Sequence, residues 1–362
     1  MRIVCFTADL SSGGAQRQLV GLAHLLKEKG HEVTILTHRE GKSYSFYEKI
    51  VEDFGVNYVK IQEGKNHITL LWNLRRVLIK LSPDVLISYL DFPNMMSCLL
   101  KASGLSFKLL VSARNTTQKI TLLTKFKLFT YRWADYIVPN SYTEGDFISR
   151  TAAHLQPKIK VITNYTDVEK FVPMKQRSFE GKRILVVARV TEQKNVIRFI
   201  QSIAKVQELI PEIKVDWYGG VSDSDSTYFI ECRSEIKKHH LEDVFTFHEP
   251  TLNVLALYQS TDYFCLPSMF EGYPNALCEA MCCGIPVLAG NVCDNNRIVA
   301  DGKNGFLFDP LNVDDMVDKI LKILKLNVGQ RRAFGAESRC ISERLFSKQT
   351  FIAKYEDLIK DA

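Results

Sequence analysis

The sequence has no long apolar segment, and this absence limits what the chain can be. Nowhere do about 18 to 20 apolar residues follow one another, which is the length that a membrane-spanning helix needs. The chain opens with Met1-Arg2 and a short apolar run at Ile3–Phe6. That run is shorter than the apolar region of a signal peptide, so it predicts a first β-strand rather than a secretory leader.

The cysteines show no pattern of disulfides or metal binding. There are nine of them, an odd number, with no Cys-x-x-Cys pair and no nearby set of histidines. Without a secretory leader, we expect free thiols in a reducing cytosol. The residues of one cluster are expected to pack as small apolar side chains around a helix: Cys278, Cys282, Cys283 and Cys293.

Several sequence signatures of other protein classes are also missing. We find no short repeat, no low-complexity segment and no motif of nucleic-acid recognition, so no nucleic-acid partner is expected. The Gly-x-Gly-x-x-Gly fingerprint of dinucleotide-binding enzymes is absent, which argues against an NAD-dependent oxidoreductase. The composition, 46% hydrophobic and 24% charged over 362 residues, is ordinary for a globular enzyme of two domains.

Short apolar runs alternate with amphipathic stretches along nearly the whole chain. This alternation is typical of parallel sheets covered by helices, so we predict an α/β fold. The first series of strands is predicted to end with Lys160–Thr163. A looser stretch, Asp167–Lys182, predicts a linker, after which the alternation restarts at Arg183. We therefore predict two domains, residues 1–170 and 171–345.

The most informative segment lies between Glu271 and Glu279. Pro274 stands where a first helical residue is expected, and the good helix formers that follow it lead to a stop at Gly284. The backbone N–H groups of such a helix start, backed by the helix dipole, bind anions such as a diphosphate. Ionised carboxylates on either side accept hydrogen bonds from hydroxyl groups. A phosphate flanked by hydroxyls describes a nucleotide-sugar.

Arg189 and Lys194 form the second candidate group. Arg189 follows a predicted strand, and Lys194 opens the next helix. Because open α/β sheets bind ligands at the carboxyl ends of their strands, both cations are expected at a ligand. They would stabilise the negative charge on a departing diphosphate without a metal ion. The alternative is a surface ion pair between Arg189 and Glu192.

A third candidate is the double glycine Gly13-Gly14, which follows the first strand and opens the first helix. Glycines let the backbone approach a ligand closely. A plain strand–helix turn is the alternative.

These residues carry a resemblance to a known family. The run from Ser268 to Val287, SMFEGYPNALCEAMCCGIPV, is similar to the donor-binding signature of the retaining glycosyltransferases of family four, which have the GT-B fold. The resemblance implies that Glu271 faces the donor sugar and that Glu279 holds the ribose. It also implies that Arg189 and Lys194 bind the diphosphate, and that the Gly13-Gly14 loop approaches the phosphates from the other domain. The family often has Glu where Gln16 stands.

The resemblance also gives the architecture and the complete set of predicted site residues. It implies two Rossmann-like domains facing across a cleft, with a C-terminal helix in residues 346–362 that crosses back to the first domain. The predicted catalytic residues are Glu271, Arg189 and Lys194. The predicted donor-binding residues are Gly13, Gly14, Arg189, Lys194, Glu271, Gly272, Tyr273, Asn275, Ala276, Leu277 and Glu279.

The acceptor side of the sequence is less specific. Arg114 lies in Val-Ser-Ala-Arg-Asn, which resembles a Ser-Glu-Arg-Asn segment of relatives that lengthen lipid-linked or polysaccharide chains. It faces the acceptor or is a structural arginine at a strand end. Many relatives have a His after the fourth strand, where this chain has none, and Asp91 or Asn94 are the candidates for its place.

Positive charge is concentrated in the first half of the chain. Residues 1–170 hold 23 Lys or Arg against 15 Asp or Glu, whereas residues 171–362 hold 24 against 26. Residues 70–80 and 119–133 mix cations with large apolar side chains at helical spacing, as helices on an anionic membrane do. The alternative is a pair of core helices with solvated basic faces. A peripheral position at the inner face of the membrane is one expectation, and a purely cytoplasmic protein is the other.

Taken together, the residues and the resemblance predict a retaining, metal-independent glycosyltransferase with no cofactor. It would move a sugar from a nucleotide-sugar, with UDP as the expected nucleotide, to a glycan or lipid-linked acceptor in cell-surface polysaccharide synthesis. Asp223-Ser-Asp225 matches a metal-binding Asp-x-Asp pair, but an Asp/Ser-rich loop that caps the next helix is the interpretation we favour. Two alternatives remain, a GT-B epimerase or phosphorylase and a non-catalytic partner in glycan assembly.

Overall fold

Two six-stranded parallel sheets organise the protein, one in each of two units. The computed structural model describes residues 1–39, 41, 45–62, 66–174 and 181–361, without the side chain of Asp223. The first unit comprises Met1–Asn164 with Gln349–Ala362, and the second comprises Tyr165–Lys348. Residues 175–180 of the predicted linker lie outside the described residues. Phe171, within the same stretch, is buried in the core of the second unit.

The first sheet has the strand order β3-β2-β1-β4-β5-β6, with every neighbouring pair parallel. The strands are β1 (Arg2–Phe6), β2 (Glu32–Thr37), β3 (Asn57–Lys60), β4 (Val85–Tyr89), β5 (Lys108–Ser112) and β6 (Tyr136–Ile137). The helices between them are α1 (Gly14–Glu28), α2 (Glu48–Asp53), α3 (His67–Leu81), α4 (Asp91–Ala102), α5 (Leu122–Thr130) and α6 (Tyr142–Thr151). β1 and β4 are neighbours from which the chain winds in opposite directions, so the switch point of this sheet lies between them.

The second sheet has the order β12-β11-β10-β7-β8-β9 and is also entirely parallel. Its strands are β7 (Arg183–Val187), β8 (Lys214–Tyr218), β9 (Phe245–His248), β10 (Tyr263–Leu266), β11 (Val287–Gly290) and β12 (Gly305–Phe308). Its helices are α7 (Val196–Leu209), α8 (Ser226–Lys238), α9 (Val254–Ser260), α10 (Asn275–Cys282), α11 (Asn295–Ile298), α12 (Val313–Leu324) and α13 (Val328–Leu345). Here the switch point lies between β7 and β10. The two sheets confirm the predicted α/β fold.

The C-terminal helix α14 (Lys348–Lys360) packs in the first unit. The buried hydroxyls of Tyr355 and Tyr89 lie 3.0 Å apart, and Glu356 contacts His31 at 2.7 Å. Lys108 donates hydrogen bonds to backbone carbonyls at the end of the same helix. These contacts join the last residues of the chain to strands and loops near its beginning.

The strand predicted at Lys160–Thr163 is wrong. Those residues are described and form no strand, and only Ile159 makes an isolated bridge, to Ile137 in β6. β6 itself is only two residues long, and Pro139 follows shortly after it. Proline has no N–H to donate, so a ladder beside β6 cannot extend through that position.

The longest helix, α13, is absent from the sequence prediction. Its buried positions carry Arg331, Gly335, Ser338, Ile341 and Ser342, which have helical spacing but mostly small or polar side chains. The hydrophobic period that predicts a helix is therefore missing. A residue without a side chain is needed at position 335, because a Cβ there would lie 2.3 Å from the carbonyl oxygen of Gly284.

Candidate donor site

The two loops that carry the main predicted residues leave the second sheet from neighbouring strands. Arg189 and Lys194 follow β7, and Glu271 follows β10. These two strands pair directly at the switch point, where open α/β sheets leave a crevice for a ligand. The structure therefore brings both loops to one edge of the sheet, as their positions after strands predicted.

An ion pair joins Lys194 and Glu271. Lys194 Nζ lies 2.6 Å from Glu271 Oε1, and the two side chains are only 15% and 9% exposed. At this separation and burial the interaction is stronger than between exposed charges, because little water screens it. An ammonium group has three N–H donors, so Lys194 can hold Glu271 and still donate to a phosphate oxygen.

Two further hydrogen bonds connect the same loops. Gln193 Nε2 donates to the carbonyl oxygen of Phe270 at 2.8 Å, and the Met269 N–H donates to the carbonyl oxygen of Gln193 at 2.9 Å. Asn195 is the N-cap of α7 and is left-handed at φ 59°, and its Nδ2 donates to the carbonyl oxygen of Pro267 at 3.1 Å. Hydrogen bonds thus join the Lys194 loop to the residues that lead from β10 to Glu271.

The helix α10 begins at Asn275, so Pro274 is its N-cap and not its first helical residue as predicted. Its φ of −81° and ψ of 96° are extended, and its ring does not lie within the first turn. Asn275 and Ala276 are half-buried at this helix start, and Gly272 lies just before it. Leu277 is fully buried, so its side chain belongs to the core and only its backbone could meet a ligand.

Tyr273 and Glu279 are both largely enclosed. The Tyr273 ring packs edge-on against Phe346, with the ring centroids 6.3 Å apart. Glu279 is 2% exposed, and its Oε2 accepts a hydrogen bond from the Tyr258 hydroxyl at 2.9 Å. A carboxylate has about four lone-pair directions. Glu279 can therefore accept the hydrogen bond from Tyr258 and also one from a sugar hydroxyl.

Arg189 follows β7, and its side chain is exposed. A hydrogen bond fixes the backbone of the preceding residue, Ala188. Its carbonyl oxygen accepts this bond from Trp217 Nε1 at 2.7 Å. Gly219 packs against that carbonyl so closely that a Cβ would lie 1.8 Å from it. Among the residues that the structure describes, Arg189 forms no ion pair with Glu192, which was the alternative interpretation.

In the first unit, the Gly13-Gly14 loop follows β1 and is shaped by Asp9. This carboxylate is 5% exposed and accepts from the Ser11 hydroxyl at 2.6 Å and from Gln16 Nε2 at 2.9 Å. The Gln16 side chain lies over Gly13, where a Cβ would be 2.1 Å from Gln16 Oε1. A Cβ at position 13 would therefore displace the Gln16 side chain, whatever ligand the loop meets.

The candidate acceptor residues are mostly engaged within the protein. Arg114 is buried, with its guanidinium 4.5 Å from the centre of the Tyr89 ring and a hydrogen bond to Asn164 Oδ1. Asn94 is fully buried and donates to the Ser112 carbonyl oxygen at 2.9 Å. Asp91 forms an ion pair with Lys127 at 3.3 Å. These contacts favour structural roles for Arg114 and Asn94.

Three residues that contact the candidate donor site were not predicted from the sequence. Gln193 and Asn195 carry no charge, so the sequence did not single them out beside Lys194. After glycine, asparagine is one of the residues that most readily adopt a left-handed backbone, as Asn195 does. Cys293, predicted as a packing residue, is half-buried and left-handed at φ 48°. Its Sγ accepts from the Glu271 N–H at 3.5 Å. The other cysteines of the predicted cluster, Cys278, Cys282 and Cys283, are buried as expected.

Comparison with known proteins identifies the family of the chain. The model of "Glycosyltransferase Family 4" matches residues 12–170, and that of "Glycosyl transferases group 1" matches residues 169–340. An uncharacterized glycosyltransferase of Haemophilus influenzae is 25% identical over 338 residues, covering 92% of each chain. A Campylobacter jejuni N-acetylgalactosaminyltransferase, named for an undecaprenol diphosphate-linked glycan substrate, is 27% identical over 294 residues, covering 78% of this chain and 77% of that protein.

The fold has a solved counterpart. The crystal structure of HepE from Anabaena in complex with UDP superposes with a TM-score of 0.86 over 100% of both chains, at 15% sequence identity. Two family models that together span residues 12–340, two six-stranded parallel sheets and this shared fold give one conclusion: the chain belongs to the GT-B glycosyltransferases of family four.

Proposed function

We propose that this glycosyltransferase transfers a sugar from a nucleoside-diphosphate sugar, of the UDP class, to a hydroxyl of a glycan or lipid-linked acceptor, with retention and without a metal ion. The observation that carries the proposal is the Lys194–Glu271 ion pair at the switch point, beside the start of α10. It brings the cation proposed to bind phosphate into direct contact with the carboxylate proposed to bind the sugar, so that one nucleotide-sugar could meet both groups.

Each part of the donor has a matching group. The diphosphate would receive N–H donors from the start of α10 and positive charge from Arg189 and Lys194. Glu271 would accept hydrogen bonds from sugar hydroxyls, and Glu279, already held by Tyr258, would accept from the ribose.

The reaction breaks the bond between the sugar C1 and the diphosphate oxygen, and the acceptor oxygen forms a new bond to C1 on the same face. The bond electrons leave with the diphosphate, whose charge Arg189 and Lys194 stabilise. A donor phosphate oxygen takes the acceptor proton, and Glu271 stabilises the positive charge that develops on the sugar. Because the two side-chain cations neutralise the leaving group, no metal ion is required by this arrangement.

The names of similar proteins support the class of donor and acceptor. HepE was solved with UDP, and the Campylobacter relative is named as a transferase that extends an undecaprenol diphosphate-linked glycan. The bound UDP supports a UDP-sugar as donor, and the named substrate of the Campylobacter protein supports an acceptor linked to a polyprenyl diphosphate. Such a transfer would belong to the synthesis of cell-surface polysaccharide.

The test is UDP release from a panel of UDP-sugars, with EDTA and with a polyprenyl diphosphate-linked N-acetylhexosamine as acceptor. We expect turnover with one class of UDP-sugar and a product whose anomeric configuration, read by NMR, equals that of the donor. An epimerised nucleotide-sugar or a free sugar phosphate would indicate an epimerase or phosphorylase instead. Nucleotide binding without turnover on any acceptor would favour a non-catalytic partner.

We also propose that the first unit lies against an anionic membrane surface, at its cytoplasmic face. On α5 and the residues before it, the large apolar side chains Ile120, Leu122, Leu123, Phe126 and Phe129 are exposed, with Leu122 at 85%. Lys119, Lys125 and Arg132 are exposed among them, and residues 115–134 contain no Asp or Glu. An apolar face edged only by cations matches an anionic bilayer.

The second predicted helix lies on the same face of its sheet. The connections β3→β4, β4→β5 and β5→β6 all step in one direction, so right-handed crossovers place α3, α4 and α5 in one layer. Ile68, Trp72 and Ile79 of α3 are exposed, and the Arg76 guanidinium lies 4.6 Å from the centre of the Trp72 ring. None of the helices that the structure describes has the length and apolar character required to cross a bilayer.

Vesicle flotation tests this surface. We expect binding to phosphatidylcholine vesicles that contain phosphatidylglycerol, weaker binding in high salt, and a loss of about tenfold or more in the Leu122→Glu/Phe126→Glu variant. Leu252→Glu, which changes an exposed leucine of the second unit, is the matched control. Equal binding of the double variant and the control would reject the membrane surface.

A further inference from the structure

We propose that Gln193 is a positioning residue, which sets the carboxylate of Glu271 relative to Lys194 by joining the two loops that carry them. This inference rests on the proposed transfer reaction. Gln193 directly precedes Lys194 in the chain, and its hydrogen-bond partner Phe270 directly precedes Glu271. The contact is therefore one residue away from the ion pair on both sides.

The two bonds of Gln193 run in opposite directions and involve both its side chain and its backbone. Its amide nitrogen Nε2 donates to the Phe270 carbonyl oxygen at 2.8 Å, while its own carbonyl oxygen accepts from the Met269 N–H at 2.9 Å. Together they restrict both the separation of the loops and their rotation about each other. The Lys194–Glu271 pair, at 2.6 Å, then forms between two loops of fixed position.

The ion pair alone would not fix this geometry. A lysine reaches its partner through four rotatable carbon–carbon bonds and keeps its charge contact over a range of loop positions. A reacting sugar has a narrower tolerance, because a displacement of about 1 Å at an active site can reduce the rate by about a hundredfold. Gln193 supplies the restraint that Lys194 lacks.

The side chain also has the length and chemistry that the contact requires. Asparagine is one methylene shorter and would not span the same gap. Glutamate has the same length, but an ionised carboxylate only accepts hydrogen bonds and would face the Phe270 carbonyl oxygen without a donor. Methionine has a similar shape and no charge, so Gln193→Met removes the hydrogen bond while leaving the space filled.

A comparison of binding and turnover tests the proposal. In Gln193→Met we expect kcat for UDP release to fall by about tenfold or more, while the affinity for UDP stays within about twofold of wild type. UDP lacks the sugar, so its binding does not depend on the position of the Glu271 carboxylate. Gln201→Met is the matched control. Gln201 lies on α7, and its Nε2 donates to Glu235 of α8 at 2.9 Å, in a contact that has no part in the proposed site.

The possible outcomes distinguish a failure of the positioning role from a failure of the proposed transfer reaction. Wild-type kcat in Gln193→Met, or a parallel loss of UDP affinity and thermal stability, would overturn the positioning role while the transferase assignment stands. A wild-type protein that neither binds UDP nor turns over any UDP-sugar would overturn the proposed function, and the role of Gln193 with it.

Discussion

Lys194 and Glu271 were both predicted as site residues, yet nothing in the sequence indicated that they touch. They are 77 positions apart, and each was assigned to a different part of the donor. Their contact follows from strand order, since β7 and β10 are neighbours in the sheet although two strands and three α-helices of the chain lie between them. The residue types at the site could be read from the sequence, but the pairing between them required the sheet.

Replacing Glu271 with alanine is expected to abolish transfer. The substitution removes the carboxylate that would orient the sugar, and we expect at least about a hundredfold loss of kcat. The protein should remain folded, as measured by circular dichroism and thermal melting. Glu192→Ala, an exposed neighbour in the same pair of loops, is the control. Turnover near the wild-type level in Glu271→Ala would contradict the assignment.

Gln16 shows how one residue departs from a family pattern for a local reason. Relatives often have Glu at this position, but here the side chain must donate to the buried carboxylate of Asp9. A glutamate would remove the donor and place a second negative charge beside the first. The sequence revealed the exchange and could not explain it, because the contact with Asp9 depends on the shape of the loop.

We therefore expect Gln16→Glu to destabilise the first unit at neutral pH, by about 1 to 3 kcal/mol. Chemical denaturation would measure the change, with Gln118→Glu as a control that alters an exposed glutamine of the same unit. An unchanged or increased free energy of unfolding in Gln16→Glu would show that the Asp9 contact has no such role.

At the scale of elements, α10 and α13 pack through small residues. Gly284, left-handed at φ 66°, ends the turn after α10, and Gly335 of α13 lies directly against its carbonyl oxygen. Regular strands and amphipathic helices were predictable because their burial follows a period of apolar residues. This packing was not, because its close contacts involve glycine and serine, which carry no hydrophobic period.

Gly335→Ala tests this contact. The added Cβ would meet backbone at 2.3 Å, so one helix must move, and we expect a loss of about 1 to 3 kcal/mol in the free energy of unfolding. Gly329→Ala, near the exposed start of the same helix, meets only a side-chain oxygen at 3.3 Å and should be neutral or slightly stabilising. If the two variants had equal stability, the close packing of α10 and α13 would be refuted.

The loop between β5 and α5 is held by Glu144 of α6. Its carboxylate accepts from the Thr117 N–H at 2.7 Å and from the Thr117 hydroxyl at 2.8 Å. Burial raises the pKa of Glu144, and the Thr117 hydrogen bonds and the Lys127 charge oppose that shift only in part. The folded protein therefore binds this proton more tightly than the unfolded chain, in which a glutamate titrates at about 4.3.

This shift predicts how stability changes with pH. Between the unfolded pKa and the raised folded pKa, the folded state holds more protons, so the free energy of unfolding falls as pH rises. The stability of wild type relative to Glu144→Gln should thus decrease from about pH 4 upward and become constant above the folded pKa. Denaturation of both proteins across this range would measure it, and a difference that grows in favour of wild type would contradict the shift.

At the scale of the whole molecule, each unit contributes a different property. The second unit holds the Lys194–Glu271 pair at its switch point, and the first holds the basic, apolar face of α5. The charge imbalance between the halves of the sequence predicted a basic face in the first half, and the structure places exposed cations beside the exposed apolar side chains of α5. The α/β class and the edge that carries the donor residues were predictable from alternation and motif position, whereas the buried state of Arg114 and Asn94 was not.

The central claim is that the second unit binds a nucleoside diphosphate through Arg189, Lys194 and the start of α10. Thermal melting of the purified protein with UDP, GDP or ADP, in EDTA, tests it most directly, because a ligand that binds the folded state raises the melting temperature. We predict a rise with UDP that is lost in Arg189→Ala and kept in Arg233→Ala, which changes an exposed arginine of α8. The absence of a rise with all three nucleotides, or a UDP response that Arg189→Ala leaves intact, would contradict the account.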